Sequence, residues 1–256
     1  MWDPGQYRRF KTERSRPFFD LLSQVDIPNP LAIADLGCGT GDQTAALAER
    51  WPQARVWGVD NSPEMIKEAR RHSLPGRLSF EFADLADWQP PGPLDMIVSN
   101  AAFQWVGNHE ALIHRLISRL TPTGALAFQV PAEFQARHIF TELRNSPAWI
   151  GKIGHGASLH ELFLKPGSWY VELLSGLGFR VDSWETLYHH VLAGEDAVME
   201  WFKGSMLRPV LSVLSPEEQT RFLNEYKALL RPLFPRRPFG TLLSFPRIFV
   251  IAYRIP

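Results

Sequence analysis

Three glycines, Gly37, Gly39 and Gly41, alternate in a stretch that follows an apolar run and precedes a helical pattern. Glycine lets the backbone turn sharply and approach a ligand closely, so this stretch predicts a nucleotide-like ligand at the top of a parallel sheet. The spacing G-x-G-x-G differs from the G-x-G-x-x-G of dinucleotide binders, and no Lys-Ser or Lys-Thr follows as in a phosphate loop. An ordinary strand-to-helix turn is the alternative, and residues further along the chain have to decide between them.

Two aspartates downstream stand where the polar groups of such a ligand would be recognised. Asp60 ends the second predicted strand, where a carboxylate can accept two hydrogen bonds from the vicinal hydroxyls of a ribose; a helix-capping or turn aspartate is the alternative. Asp84 follows the third strand. Dinucleotide binders require no acid there, whereas enzymes that bind S-adenosylmethionine often place one to accept from the adenine amino group. The small residues at 99–102, Ser-Asn-Ala-Ala, would leave room for the methionine moiety.

The elements that must position these residues are read from the apolar runs. Strands are predicted at residues 31–34, 55–60, 78–83, 94–99 and 125–130, with helical patterns between them. Strands that alternate with helices predict a parallel sheet wrapped on both faces. Two later strands, at 179–191 and 242–253, enclose two helices at about 195–207 and 216–233. The expected fold class is α/β, a Rossmann-like doubly wound sheet of seven strands, mostly parallel with an antiparallel last strand, plus a helical cap inserted near the C-terminus.

The domain organisation follows from the same pattern. Residues 1–256 are expected to form a single domain, with the helical cap at about 193–240 and a variable loop and helix region at about 132–168. Ser62 followed by Pro63 predicts a helix start, with Ser62 as the N-cap. The sequence Thr-Pro-Thr-Gly at 121–124 predicts a turn before the fifth strand.

Composition narrows the class of protein. Hydrophobic residues make up 45% of the chain, which supports a sizeable core, and 27 basic residues balance 27 acidic ones. A net charge of zero argues against general binding to nucleic acid or membrane surfaces, and no obligate protein partner is evident. The single cysteine, Cys38, excludes an internal disulfide and fits a reducing compartment. With no recognisable signal peptide or membrane-spanning run, a cytoplasmic location is expected.

Together these motifs resemble the class I S-adenosylmethionine-dependent methyltransferases. The resemblance rests on the glycine turn with its preceding Asp-Leu, on Gly-Val-Asp at 58–60, on Ala-Asp-Leu at 83–85 and on Ser-Asn-Ala-Ala at 99–102. It implies S-adenosyl-L-methionine as the cofactor. The residues that it implies as cofactor-binding are Asp35, Gly37, Gly39, Gly41, Asp60, Asn61, Met65, Asp84, Leu85 and Asn100.

Over nearly its whole length the chain also resembles the trans-aconitate 2-methyltransferases. Matching features are Trp-Asp-Pro at 2–4, Gln-Trp at 104–105, Leu-Arg-Pro at 207–209 and Phe-Pro-Arg at 245–247. The chain departs from that pattern at 130–133, at Met206 and through 132–168, near where the acceptor is expected. The resemblance implies methyl transfer to a carboxylate of a small polycarboxylic acid, trans-aconitate or a related compound, giving a methyl ester.

The chemistry of such an acceptor sets the residues required. A carboxylate has a pKa near 4 and is already ionised at neutral pH, so no general base is needed and no catalytic residue is assigned. The remaining task is to position and partly desolvate the reacting charges. Arginine suits the other carboxylates because it binds them bidentately. The resemblance implies closure over the cofactor by Tyr7 and Arg14, and acceptor binding by Trp105, Tyr188, His190, Arg208 and Arg247.

Several of these residues also have a purely structural explanation. Arg208 and Arg247 could be charges exposed to water, and Trp105 could be a core aromatic. His189 and His190 are adjacent on a predicted strand and point to opposite faces, so they cannot easily share a metal. No metal site is expected.

Other functions also remain open at this point. A carboxyl methyltransferase that esterifies a malonyl group on acyl carrier protein is the nearest rival, although it should need a basic docking face. Another small-molecule O-methyltransferase is a further alternative, in which His190 becomes a candidate base. A non-catalytic adenosylmethionine-binding module represents a different class.

Overall fold

The computed structural model describes residues 10–153 and 162–255. In these ranges the helices are α1 (Lys11–Ser23), α2 (Asp42–Arg50), α3 (Pro63–Ala69), α4 (His109–Ile117), α5 (Gln135–Arg144), α6 (Ile150–Ile153), α7 (Gly167–Gly176), α8 (Ala197–Lys203), α9 (Arg208–Leu211) and α10 (Pro216–Leu230). The strands are β1 (Ala32–Leu36), β2 (Arg55–Asp60), β3 (Leu78–Phe82), β4 (Leu94–Asn100), β5 (Leu120–Pro131), β6 (Phe179–Leu192), β7 (Arg236–Arg237) and β8 (Gly240–Arg254). None of the described helices is long and apolar enough to cross a membrane.

The strands form a single mixed sheet in the order β3-β2-β1-β4-β5-β8-β6, with the short β7 paired to β8. The pairs among β1 to β5 are parallel, whereas β8 runs antiparallel to both β5 and β6. The expected α/β class and the antiparallel last strand are therefore confirmed. The seven expected strands are present, and the two-residue β7 is an eighth that the sequence pattern did not indicate.

The predicted turn at residues 121–124 is wrong, because β5 already begins at Leu120. Leu94 pairs with Leu120 and Met96 pairs with Ala125, so the intervening residues of β5 bulge out of the ladder without leaving the strand. A Cβ placed at Gly124 would lie 2.9 Å from the Leu94 carbonyl oxygen. Gly124 therefore allows the two strands to approach closely, whereas the sequence predicts that it turns the chain.

Local sequence explains where the helices begin. Ser62 caps α3 by accepting a hydrogen bond from the Met65 backbone N–H at 3.3 Å, and Pro63 occupies the first helical position, as predicted. The same Ser-Pro pair opens α10, where Ser215 and Glu218 form a complete capping box. Such caps satisfy the backbone N–H groups that the first helical turn leaves without partners.

The apolar residues pack into three clusters. One face of the sheet is covered by α1, α2 and α3, and the other by α4 and α7. The third cluster joins α8, α9 and α10 to α5 and α6. Trp149 packs edge-on against Phe222 at 5.1 Å, and Tyr226 donates to the Ala136 carbonyl oxygen at 2.9 Å.

The third cluster contains residues from both the predicted cap and the predicted variable region. Its helices fall inside the predicted cap at about 193–240 and the predicted variable region at about 132–168, and they pack on each other. A single domain that carries a cap remains our interpretation of this arrangement.

Candidate active site

The glycine turn lies between β1 and α2 and is fastened to the neighbouring strand β2. The backbone N–H groups of Gly37 and Cys38 both donate to the Val59 carbonyl oxygen, at 2.8 and 3.0 Å. Gly37 has φ +81°, and a Cβ at this position would overlap the Cβ of Ala102. The residue must therefore be glycine for two independent reasons, backbone conformation and contact with the turn after β4.

Asp60 holds the turn from the end of β2. Its Oδ2 accepts from the Gly39 N–H at 2.9 Å, and its Oδ1 accepts from the Ser62 N–H at 2.9 Å. Burial raises the pKa of Asp60, and these two backbone donors oppose that rise. A carboxylate offers about four lone-pair positions, so each oxygen can still accept from a ligand hydroxyl.

A cavity of about 240 Å³ opens beside this turn, and we call it the glycine-turn cavity. It lies at the carboxyl ends of β1, β2 and β4, the place where open parallel sheets bind ligands. Its wall contains seven of the residues expected to bind a cofactor, together with Arg208 from α9. The full lining is Gly37, Gly39, Asp60, Asn61, Met65, Leu85, Asn100, Ala101, Ala102, Trp105, Ser205, Arg208, Pro209 and Ser212.

Three other residues with an expected cofactor role stand behind this wall. Asp35 is buried and accepts from the Thr44 hydroxyl at 2.6 Å. Gly41 precedes α2 and lies against the Phe80 ring. Asp84 is exposed and accepts from the Ala86 N–H at 2.8 Å, and it also accepts from Asn61 Nδ2 at 3.5 Å, through which it reaches the cavity wall.

Asp35 has an unusual protonation equilibrium for a carboxyl group. Burial raises its pKa to about 7, the hydrogen bond from Thr44 opposes this rise, and the charge of Asp60 adds to it. Asp35 lies near the end of β1, just before the glycine turn, and its protonation state changes near neutral pH.

A second, smaller cavity of about 80 Å³ adjoins the first, and we call it the arginine cavity. It is enclosed by α1, the turn after β4, α8 and β8. Two guanidinium groups, those of Arg14 and Arg247, face it among aromatic and amide side chains. The full lining is Arg14, Asn100, Ala101, Gln104, Trp105, Pro131, Phe134, Leu162, Trp201, Phe202, Ser205, Met206, Phe245 and Arg247.

Both arginines of this cavity are fixed by aromatic neighbours. Arg14 is 9% exposed, donates from Nη2 to the Trp201 carbonyl oxygen at 2.8 Å, and lies over the Trp201 ring at 4.8 Å. Arg247 is 5% exposed and lies over the Phe245 ring at 4.2 Å. Stacking of this kind orients a guanidinium plane.

The two cavities share a wall of four residues, Asn100, Ala101, Trp105 and Ser205. Asn100 is held by a chain of amides: it accepts from Gln129 Nε2 at 2.6 Å and donates to Gln43 Oε1 at 3.0 Å.

Within this wall the backbone of Ala101 is strained. Ala101 has φ +55°, a conformation that costs a residue with a Cβ about 1–2 kcal/mol. Its carbonyl oxygen accepts from Gln104 Nε2 at 2.6 Å, a contact that helps to hold the turn.

The structure changes the grouping that we expected. Arg14, expected beside the cofactor, faces the arginine cavity, whereas Arg208, expected beside the acceptor, faces the glycine-turn cavity. Trp105 and Asn100 face both. Arg247, which was expected to bind the acceptor, lines the arginine cavity. Tyr7 falls outside the described residues.

Tyr188 and His190 share one face of β6, with their rings stacked at 5.8 Å. Neither lines either cavity. The Tyr188 hydroxyl donates to Asp20 Oδ2 at 2.6 Å, and burial, together with Asp20, raises its pKa. Burial and the charge of Arg247 lower the pKa of His190 to about 4, which leaves its imidazole neutral at neutral pH. His190 packs behind Trp201 at 5.1 Å and so supports the arginine cavity from outside.

Several lining residues escaped sequence reasoning. The sequence indicates no role for Trp201, Phe134, Gln104 or Ser205, all of which line the arginine cavity. Gln104 is buried, and its position next to Trp105 was the one available signal. Ser205 belongs to no motif, so only the folded chain brings it to the wall.

Among the described residues, no cluster of three or more potential ligands is placed to hold a metal ion.

Comparison with known proteins identifies the domain and the family of the chain. A family profile described as a methyltransferase domain matches residues 33–124, which include the glycine turn, Asp60 and Asp84. The trans-aconitate 2-methyltransferase of Streptomyces avermitilis is 43% identical over 99% of this chain and 97% of its own length. The enzymes of that name from Rhodopseudomonas palustris and Escherichia coli are 41% and 40% identical, over 99% of this chain in each case.

Solved structures share the fold at low sequence identity. The YcgJ protein of Bacillus subtilis superposes with a TM-score of 0.61 at 14% identity, covering 94% of this chain and 99% of that protein. The methyltransferase in complex with the Trm112 activator of Haloferax volcanii gives 0.58 at 18% identity, covering 99% of this chain and 95% of that one. These structures show the fold, and the curated relatives together with the methyltransferase profile show that the chain is a class I S-adenosylmethionine-dependent methyltransferase.

Within that class the assignment can be narrower, because the curated relatives match nearly the full length of the chain. The chain belongs to the trans-aconitate 2-methyltransferase family. The class and the family expected from the sequence are both confirmed.

Proposed function

We propose that the protein transfers the methyl group of S-adenosyl-L-methionine to one carboxylate of a small polycarboxylic acid, with trans-aconitate as the first candidate, and releases a methyl ester. One observation supports this most directly. Two buried guanidinium groups face a small cavity that shares a wall with the glycine-turn cavity. An arrangement of this kind suits an acceptor that carries more than one negative charge.

The glycine-turn cavity fits the methyl donor on its own chemistry. Asp60 has lone pairs left for ribose hydroxyls, and Gly37 keeps the turn free of a Cβ where the wall is tightest. Asn61, Met65 and Leu85 border the same space, with Asp84 behind Asn61. When bound, the cofactor supplies a methyl group on a positively charged sulfur.

The chain's own residues then have to bind, orient and exclude water. Arg14 and Arg247 pair with carboxylates of the acceptor, held in place by Trp201 and Phe245. Because the acceptor is already ionised, no side chain needs to take a proton. The aromatic lining reduces the hydration of the attacking carboxylate, and fixed geometry provides most of the acceleration.

The two arginines that changed places therefore receive new roles. We assign Arg14 to the acceptor together with Arg247, and we assign Arg208 to the cofactor side or to the entrance between the two ligands. Trp105 borders both ligands. Tyr7 keeps its predicted role of closing over the cofactor.

Supply of labelled S-adenosylmethionine with single acceptors tests the proposal. We expect label in a base-labile methyl ester of trans-aconitate, and much slower transfer to a malonyl thioester of acyl carrier protein or to a phenolic hydroxyl. Failure of every polycarboxylate to accept label would reject the proposal. Preferred labelling of the malonyl thioester would instead favour the rival acceptor class. The expected cytoplasmic location and the absence of nucleic-acid, membrane and protein partners remain predictions.

A further inference from the structure

The wall between the two cavities is where methyl transfer has to occur if the proposed function holds. The donor would occupy the glycine-turn cavity and the acceptor the arginine cavity, and only Asn100, Ala101, Trp105 and Ser205 line both. Arg14 and Arg247 line the arginine cavity alone. A group that orients the attacking carboxylate therefore has to come from the shared wall.

Among the four wall residues, Ser205 is best suited to that task. Asn100 uses both ends of its amide on Gln129 and Gln43, and Ala101 has no polar side chain. Trp105 has an indole N–H, but it already takes part in an interaction within the protein. The Ser205 hydroxyl takes part in none of the hydrogen bonds that the described residues make with one another, and it remains available as a donor.

The backbone around Ser205 holds this hydroxyl in place. Ser205 lies in the turn between α8 and α9, where its N–H donates to the Phe202 carbonyl oxygen at 3.0 Å and its own carbonyl accepts from the Arg208 N–H at 3.1 Å. Phe202 is itself stacked on Phe134 at 5.2 Å. The half-buried serine thus lies in a turn held by backbone hydrogen bonds, and this reduces the conformational entropy lost when its hydroxyl engages a ligand.

We propose that the Ser205 hydroxyl donates a hydrogen bond to the carboxylate that accepts the methyl group, and so selects which carboxylate of the acceptor reacts. This inference rests on the proposed function. The attacking oxygen forms a bond to the methyl carbon as the carbon–sulfur bond breaks. The carboxylate becomes a neutral ester and the sulfonium a neutral thioether. Ser205 keeps its proton and acts by orientation, while the two arginines hold the remaining carboxylates.

Ser205→Ala and Ser205→Thr, compared with the control Ser215→Ala, test this role. Ser215 caps α10 in the same cluster of helices, so its loss should cost about 1 kcal/mol of stability without affecting transfer. We expect Ser205→Ala to lower kcat about 10- to 100-fold, as misplacement of a reacting group does. It should also yield a mixture of ester regioisomers by NMR and leave the affinity for S-adenosylhomocysteine, measured by calorimetry, within about twofold. Ser205→Thr, which keeps the hydroxyl, should retain the single ester and most of the rate.

Two results would overturn the role of Ser205. One is a Ser205→Ala enzyme with kcat within about twofold of wild type and an unchanged ester. The other is equal loss in Ser205→Ala, Ser205→Thr and Ser215→Ala, which would show a loosened helical cluster. A wild-type enzyme that esterifies no polycarboxylate would reject the proposed function itself. That failure is distinct, because the Ser205 comparison requires an active wild type.

Discussion

The glycine-turn cavity takes most of its wall from residues between 37 and 105, at or near the ends of adjacent parallel strands. The arginine cavity draws on α1, the turn after β4, α8 and β8, so its two guanidinium groups come from residues 14 and 247. The first is shaped chiefly by backbone, with Gly37 and Asp60 as its fixed points. The second is shaped by long side chains laid on aromatic rings. The difference predicts that the first will tolerate almost no change of shape, whereas the second will respond to change of charge.

The largest effect is expected for Gly37→Ala, which tests whether the glycine-turn cavity depends on its shape. The new Cβ would overlap Ala102 and would also require φ +81°, so we expect affinity for S-adenosylhomocysteine to fall by more than about 100-fold in calorimetry. Gly76→Ala is a matched control, because Gly76 has φ +76° and, in the described structure, no heavy atom within 4 Å of a Cβ placed there. The control should lose about 1 kcal/mol of stability and bind normally. Equal losses in both variants would show that strain alone matters.

The arginine cavity should respond to charge. Arg14→Ala and Arg247→Ala each remove a charge-assisted contact, so we expect the KM for trans-aconitate to rise about 10- to 100-fold while the affinity for S-adenosylhomocysteine changes by less than about threefold. Arg208→Ala should show the opposite balance, because Arg208 lines only the other cavity. Similar acceptor KM values for the Arg208 and Arg247 variants would contradict the division between the two cavities.

The buried carboxyl group of Asp35, next to the glycine turn, should make the free energy of unfolding depend on pH. Its raised pKa, about 7, means that the folded protein keeps a proton there at pH values where the unfolded chain has lost it. Its contribution to stability is therefore fully present below about pH 4 and is lost as pH rises towards 7. Relative to wild type, Asp35→Asn should gain at least about 1 kcal/mol across that range, measured by urea unfolding without ligand. A difference that does not change with pH would show that the buried carboxyl has an ordinary pKa.

The smallest effect is expected at Tyr188, whose hydroxyl is used by Asp20 outside both cavities. Tyr188→Phe should lower the free energy of unfolding by about 1 kcal/mol. The KM for trans-aconitate should stay within about twofold of wild type. A tenfold rise in that KM would return Tyr188 to the acceptor site that sequence reasoning gave it.

The sequence predicts the glycine-turn cavity better than the arginine cavity, because the two are built from different kinds of structure. Gly37, Asp60 and Asn100 were recognisable because strand ends and turns leave a local signature, and parallel strands bring those ends to one edge. Under the proposed function Arg14 and Arg208 exchange the ligands expected for them, because only tertiary packing decides which cavity a long side chain on a helix lines. Ser205 and Gln104 acquire their positions only from tertiary packing. The bulge at residues 121–124 escaped for a similar reason, since Thr-Pro-Thr-Gly is ordinary turn chemistry and only the pairing of Leu94 with Leu120 keeps it in the strand.

The insertion of α8 to α10 between paired strands has an evolutionary consequence. Strand β6 ends at Leu192, directly opposite Thr241 of β8, so the chain leaves and re-enters the sheet at neighbouring points. A hairpin closed in this way can exchange the segment between its strands with little disturbance to the rest of the sheet. Replacing this one segment would change Trp201, Ser205 and Met206 of the acceptor wall and Arg208 of the donor wall, while Arg14, Arg247 and the glycine turn, which lie outside it, are kept. For engineering, grafting a foreign segment between residues 192 and 241 is a route to a different acid as acceptor, because the two arginines would remain in place.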